Sequence, residues 1–226
     1  MASYTYKELY GGAIHAVIPE GWLDASDLRQ IPNHQELFLS PTTLSNLIIE
    51  INERVSEETA LSSLQSNPNP DILGPNPAAS PETIDKAAAL YHLNDVRDAD
   101  ADILRIVTPP QPVSLAKLPR AKAYKGLVVM TTPGRVRPGV PASSIGGATA
   151  GSSVDGALGS STSVHYLLVR LEDQETDILI FFNVPHKEFD EKGEPRGLAK
   201  EEELASETVN GLIRQLEILD WGLFGG

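Results

Sequence analysis

Apolar residues in this chain fall mostly into short blocks, and most of the blocks suit β-strand. "AIHAVI" (13–18) is an apolar run with a histidine inside it, closed by Pro19 and Gly21. "ELFLS" (36–40) and "NLIIEINERV" (46–55) flank "PTTLS" and predict an antiparallel pair, with Glu50 marking a partly wet face. "ILRIV" (103–107), which stops at a double proline, and "YKGLVVM" (124–130) also read as strands. The clearest pattern is "VHYLLVRLEDQETDILIFFNVP" (164–185), two β-rich runs around the polar turn "EDQE", hence an antiparallel hairpin. Its second run, "ILIFF", is apolar without alternation, as expected of a strand covered on both faces.

Two stretches carry the helical period instead. Ser80 can cap a helix that begins at Pro81, where Glu82 and Asp85 would complement the positive end of the dipole. Ile84, Ala87, Ala88 and Tyr91 supply its buried stripe, and the acidic "NDVRDADAD" ends it. From about 199 to 219, Leu204, Val209, Leu212, Ile213, Leu216 and Leu219 make a second stripe. Gly211 interrupts that stripe at a cost of roughly 1 kcal/mol relative to Ala. These helices are the covers that the apolar sheet requires. The predicted fold class is α/β (α+β), an α/β/α sandwich whose central sheet is largely antiparallel, forming a single domain over 1–226. Residues 56–80, rich in Ser, Asn and Pro, follow neither period and predict a surface loop; so do 133–162, rich in Gly, Ser and Pro. Loop insertions are expected at 61–80 and 133–162.

Charge and composition remove several classes of function. A formal net charge of −13 argues against nucleic acid, which needs a concentrated basic face, and suits either simple solubility or a basic protein partner. The absence of cysteine excludes a disulfide framework, a thiolate nucleophile and a Cys-based zinc site. No apolar run is long enough to span a membrane, and "MASYTYKELYGG" has neither a secretory nor a transit profile. The expected location is therefore intracellular, and no membrane partner is expected. The five histidines form no metal-ligand motif; His15 and His165 fall within strands, and His92 with Asp95 has the i,i+3 spacing of a structural hydrogen bond. Neither a nucleophile elbow nor a phosphate-binding loop is present, so no catalytic residue, metal or cofactor is expected.

One polar segment stands out against this plain background. Between the first two predicted strands the chain crowds Asp24, Asp27, Arg29, Asn33, Gln35 and Glu36 into one connection. Read alone, Asp24 and Ser26 suit the bracing of a turn, and Arg29 an internal ion pair.

Several segments, in order, resemble the Ran guanine-nucleotide release factor family, the small Ran-binding proteins of nuclear import. "LYGGAIHAVIPEGWLDASDLRQIPNHQELF" (9–38) is similar to that family's Leu-(Tyr/Phe)-Gly-Gly-Ala, Pro-x-Gly turn, Asp-(Val/Ala)-Ser, Leu-Arg and closing Pro-x-x-Gln-Glu. "LIIEI", "YHLNDV", "LVRLEDQETDILIFFNVP" and the tail "DWGLFGG" resemble later parts of the family pattern. The resemblance implies an α/β/α sandwich that binds the small GTPase Ran and promotes loss of its guanine nucleotide, in nucleus and cytoplasm, with no cofactor and no covalent step. A second Ran-binding protein is a further implied partner. Glu36 matches the family's Gln-Glu position and is the first candidate contact, followed by Asn33, Gln35, Asp24, Asp27 and Arg29. Asn33 stands where the family commonly has Asp, so one acidic charge is missing there. The same fold resembles the extrinsic lumenal proteins of photosystem II, which makes a non-catalytic assembly adaptor the alternative reading.

Overall fold

The computed structural model describes residues 3–66, 80–96, 103–133 and 159–225. Strands β1 (Tyr4–Leu9), β2 (Ile14–Pro19), β3 (Leu23–Asp24), β4 (Gln35–Leu39) and β5 (Asn46–Glu53) come first, then helices α1 (Glu57–Ser66) and α2 (Pro81–Asp95). Strands β6 (Ile103–Val113), β7 (Lys122–Thr132), β8 (Ser160–Leu171) and β9 (Thr176–Pro185) follow. Helices α3 (Lys187–Lys192) and α4 (Pro195–Gln215) and strand β10 (Glu217–Ile218) complete the order. A seven-stranded sheet runs β3-β4-β5-β9-β8-β7-β6, antiparallel at every step, and β1-β2-β10 form a smaller antiparallel sheet.

The hairpin predicted over 164–185 is β8–β9, and it explains the unbroken apolar run. Leu167, Val169, Ile178, Ile180 and Phe182 pack with Ala205, Val209 and Leu212 of α4 and with Ile14, Ala16 and Ile18 of β2. Their neighbours Val164, Tyr166, Leu168, Leu179 and Phe181 point the other way, against Ala87, Ala88, Leu90 and Leu93 of α2 and Ala60 of α1. Successive side chains alternate faces, and both faces are dry. The expected sandwich is therefore present, with α4 and the small sheet on one side and α1 and α2 on the other.

Several local expectations need correction. Residues 57–66 are helix α1, not loop: the Ser56 hydroxyl accepts from the Thr59 N–H at 3.1 Å, Glu57 and Glu58 occupy the first turn, and Ala60 is buried. Residues 67–79 and 134–158, the greater part of both expected insertions, lie outside the described residues, while 160–162 already belong to β8. Strand β6 does not stop at the double proline but continues through it, with register shifts between Ile106 and Thr108 and again between Thr108 and Gln111. It lies at the edge of the sheet, where a missing N–H costs no ladder bond. Helix α4 ends at Gln215 rather than 219, because the chain turns extended and Ile218 pairs with Ile14. Gly211 has a purpose there: a Cβ would sit 3.3 Å from Val17 Cγ2, so the glycine lets α4 approach β2.

The largest departure concerns Asp85 and His92. Asp85, expected to complement the helix dipole, lies beyond the first turn, which holds Glu82; it is 2 % exposed and binds Arg170 Nη1 through Oδ1 at 2.7 Å. Arg170, itself 1 % exposed, also donates from Nε to Asp177 Oδ1 (3.0 Å) and from Nη2 to the Val55 carbonyl (2.6 Å). His92 pairs with Asp177 Oδ2 at 3.0 Å rather than with Asp95, and the same oxygen accepts the Val55 N–H at 3.0 Å. One cation between two acids thus ties α2 and the β5–α1 junction to the central hairpin. A network of this kind persists only because nearly every member is paired.

Candidate partner-binding site

Tyr10, Gly11 and Gly12 follow β1 and take φ of 51°, 67° and 94° in succession. Two glycines adopt the left-handed region without penalty; Tyr10 does so against the preference of a side-chain-bearing residue and is held there from three sides. Its N–H donates to Glu36 Oε1 at 2.7 Å. Its hydroxyl donates to the Ile49 carbonyl at 2.9 Å and lies 3.2 Å from the His34 carbonyl. The turn thereby reaches over the β4–β5 pair and fixes the place where β4 begins.

The chain between β3 and β4 is secured at its two ends and exposed between them. At the first end, Asp24 Oδ1 accepts the Ser26 N–H (2.9 Å) and hydroxyl (2.6 Å), and the Leu28 and Arg29 N–H groups both reach the Ala25 carbonyl at 3.0 Å. Ala25 is buried, and nearby Trp22 packs on Phe182 with ring centroids 5.0 Å apart. At the second end, the Gln35 N–H binds the Pro32 carbonyl (3.0 Å) and the Ile51 N–H binds the His34 carbonyl (2.9 Å). The Gln35 side chain donates to Glu50. The result is a polar rim fixed to the edge of the large sheet.

Beside this rim lies an open depression of about 370 Å³, lined by Tyr10, Arg29, Asn33, Gln35 and Glu36 among others. Four residues expected from sequence are therefore brought together. Asp24 stands next to them, engaged in its turn, and its charge still acts on Glu36. Asp27 is exposed on the turn of residues 25–27 and does not line the depression. Arg29 has no ion-pair partner among the described residues, so the internal ion pair considered for it is not formed. Sequence reasoning missed Tyr10, although "YGG" signals a left-handed turn, and it missed Leu28, which is 65 % exposed on the same loop.

The electrostatics single out Glu36. Burial pushes its carboxyl above the usual range, the Tyr10 N–H pulls it partly back, and the Asp24 charge pushes it up again. Burial, followed by the Glu36 and Glu50 charges, likewise raises the Tyr10 phenol. A half-buried carboxylate whose ionised form is disfavoured, on an otherwise exposed rim, gains by receiving a cation. Among the described residues no group of three or more His, Cys, Asp or Glu is placed to hold a metal ion, and no helix is long and apolar enough to cross a membrane.

Residues 7–185, which include the Tyr10 turn and the whole rim, match the family described as Ran-interacting Mog1 protein. The Ran guanine nucleotide release factor of Homo sapiens is 29% identical over 178 residues, covering 78% of this chain and 74% of that one. The nuclear import protein MOG1 of Saccharomyces cerevisiae is 25% identical over 224 residues, 96% of this chain and 83% of the other. The solved structure of the Saccharomyces cerevisiae Ran-binding protein Mog1p covers 99% of this chain and 100% of its own, with a TM-score of 0.58 at 20% identity, a likeness of fold.

Proposed function

The chain belongs to the Ran-interacting Mog1 protein family, and on that premise we propose that it binds the small GTPase Ran and promotes release of Ran's guanine nucleotide in nuclear protein import. The relatives named as a release factor and as a nuclear import protein support this reading. The adaptor alternative gives way to it, because membership assigns the chain to Ran-interacting proteins.

Within that reading, the rim from Asp24 to Glu36 is the Ran-facing surface. The observation that carries it is the half-buried Glu36 carboxylate, ionised at a net electrostatic cost and bordered by Asn33 and Gln35, with Leu28 exposed elsewhere on the same loop. A Lys or Arg of the GTPase that otherwise contacts nucleotide phosphate would find an acceptor there already fixed by the Tyr10 turn. Drawing such a group away weakens the nucleotide, and by reciprocity bound nucleotide weakens this complex. The chain makes and breaks no covalent bond in this process. Residence in both nucleus and cytoplasm, and a second Ran-binding protein acting beside it, complete the proposal.

The test is loss of a fluorescent guanine nucleotide from Ran as this protein is added. Acceleration that saturates with concentration is the expected result. Unchanged release together with no detectable binding to Ran would overturn the reading.

A further inference from the structure

A second depression, of about 230 Å³, lies at the far edge of the large sheet from the Glu36 rim, where α4 passes over β6 and β7. It is smaller than the roughly 300–1,000 Å³ of pockets that hold drug-sized ligands. Strand register places Gln111 opposite Lys125 and Thr108 opposite Leu127, so that Pro109 and Pro110 together face the single residue Gly126. This bulge bends the edge strand, a device that commonly re-aims side chains next to functional sites. From above, Ser206 and Asn210, one helical turn apart on α4, close the depression, and His165 of β8 forms part of its wall.

The lining is chemically one-sided. Lys125 is half-buried, and its ammonium is bonded to a neutral group, Asn210 Oδ1 at 2.9 Å. No described carboxylate pairs with it. The hydroxyls of Thr108 and Ser206 and the amide of Gln111 add hydrogen-bond donors. Among the described residues no carboxylate lines the depression, whereas three other depressions on this chain of net charge −13 each contain one or more. Glu202, which meets the wall residue His165, is engaged by His165 Nε2 at 2.5 Å and lies 3.5 Å from His186 Nε2. A partly desolvated ammonium with neutral partners is electrostatically incomplete, and an anion completes it.

We propose that this depression is a binding site for a small oxyanion of the phosphate class, with Lys125 as its charge and Asn210, Ser206, Thr108 and Gln111 as its orienting partners. The inference is independent of Ran binding, since the two surfaces lie at opposite edges of the sheet.

The experiment titrates isotope-labelled protein with sodium phosphate, and separately with a short phosphoserine peptide, at ionic strength held constant with chloride. Saturable amide shifts at 108–111, 125–127 and 206–210 are expected, weakened roughly tenfold or more by Lys125→Met and kept by Lys125→Arg. Gln111→Glu, at an exposed position, places a carboxylate opposite Lys125 and is expected to abolish binding even if Lys125→Met folds poorly. Saturation by phosphate alone assigns the site to a free anion. Binding of the peptide about tenfold more tightly assigns it to a phosphoryl group carried on a protein chain. Absence of saturation with both probes, or shifts unaltered in Lys125→Met and Gln111→Glu, overturns the proposal.

Discussion

Replacing Glu36 by Gln should separate binding from folding. The Glu36 carboxylate accepts the Tyr10 N–H at 2.7 Å, and a carboxamide keeps an oxygen for that bond. The bond itself weakens from the roughly 1.5–3 kcal/mol of a charged acceptor toward the roughly 0.5–1.5 kcal/mol of a neutral one. Loss of the charge acts in the opposite direction, because burial and Asp24 raise the carboxyl pKa above its ordinary value of 4.5. A raised folded-state pKa means that the ionised group costs stability once pH exceeds the unfolded value. Glu36→Gln should therefore match the parent in acid and equal or slightly exceed it at neutral pH. The net change stays within about 1 kcal/mol, or roughly 2–4 °C in Tm for a chain of this size. The interface charge should not survive. For a half-buried residue we take the low end of the roughly 2–5 kcal/mol cost of losing one partner, about 2 kcal/mol or about 30-fold in affinity. The assay pairs thermal melts with the concentration of this protein that half-maximally accelerates nucleotide loss from Ran. Unchanged release would reduce Glu36 to a brace for the Tyr10 turn. A large fall in Tm that accounts for the lost activity would refute the separation itself.

Three other outcomes follow from the packing. Asp177→Asn strips one carboxylate from Arg170 and should cost about 3 kcal/mol in urea unfolding, the low end for a broken buried pair because Asp85 remains; a loss below about 1 kcal/mol would deny the network a stabilising role. Burial pushes the Glu202 carboxyl up, but hydrogen bonds from His165 and Ser163 and the charges of His165 and His186 bring it below its ordinary 4.5. That stability is present above the ordinary carboxylate value and is lost as pH falls through the lowered one, so Glu202→Gln should flatten the acid limb of a pH–stability curve; an unchanged limb contradicts the assignment. Gly126→Ala would place a Cβ 2.3 Å from the Tyr166 hydroxyl and 2.7 Å from the Thr108 carbonyl, so a loss of about 1–3 kcal/mol is expected by chemical denaturation, and a neutral result would show that the β6 bulge yields.

What could be read from sequence depended on how local its cause was. The β8–β9 hairpin was legible because unbroken apolar runs around a polar turn have few other uses. Helix α1 was not, since its apolar content is thin and Asn- and Pro-rich sequence follows it. The extent of β6 was hidden by prolines that only an edge strand tolerates. The rim residues Arg29, Asn33, Gln35 and Glu36 could be picked out together because they are close in the chain. Tyr10 escaped because it meets Glu36 from 26 positions away. In sequence Asp85 suits the helix dipole and Asp177 carries no signal of its own; their burial becomes visible only when Arg170 is placed opposite Asp177 in the hairpin register.

Hydrogen exchange of this protein, alone and with Ran, is the most direct test of where the GTPase sits. Slowed exchange confined to Tyr10–Gly12 and residues 24–36, with β6 and β7 unaffected, is the predicted pattern. Protection confined to other surfaces, or none while Ran is bound, would contradict the assignment of the Glu36 rim.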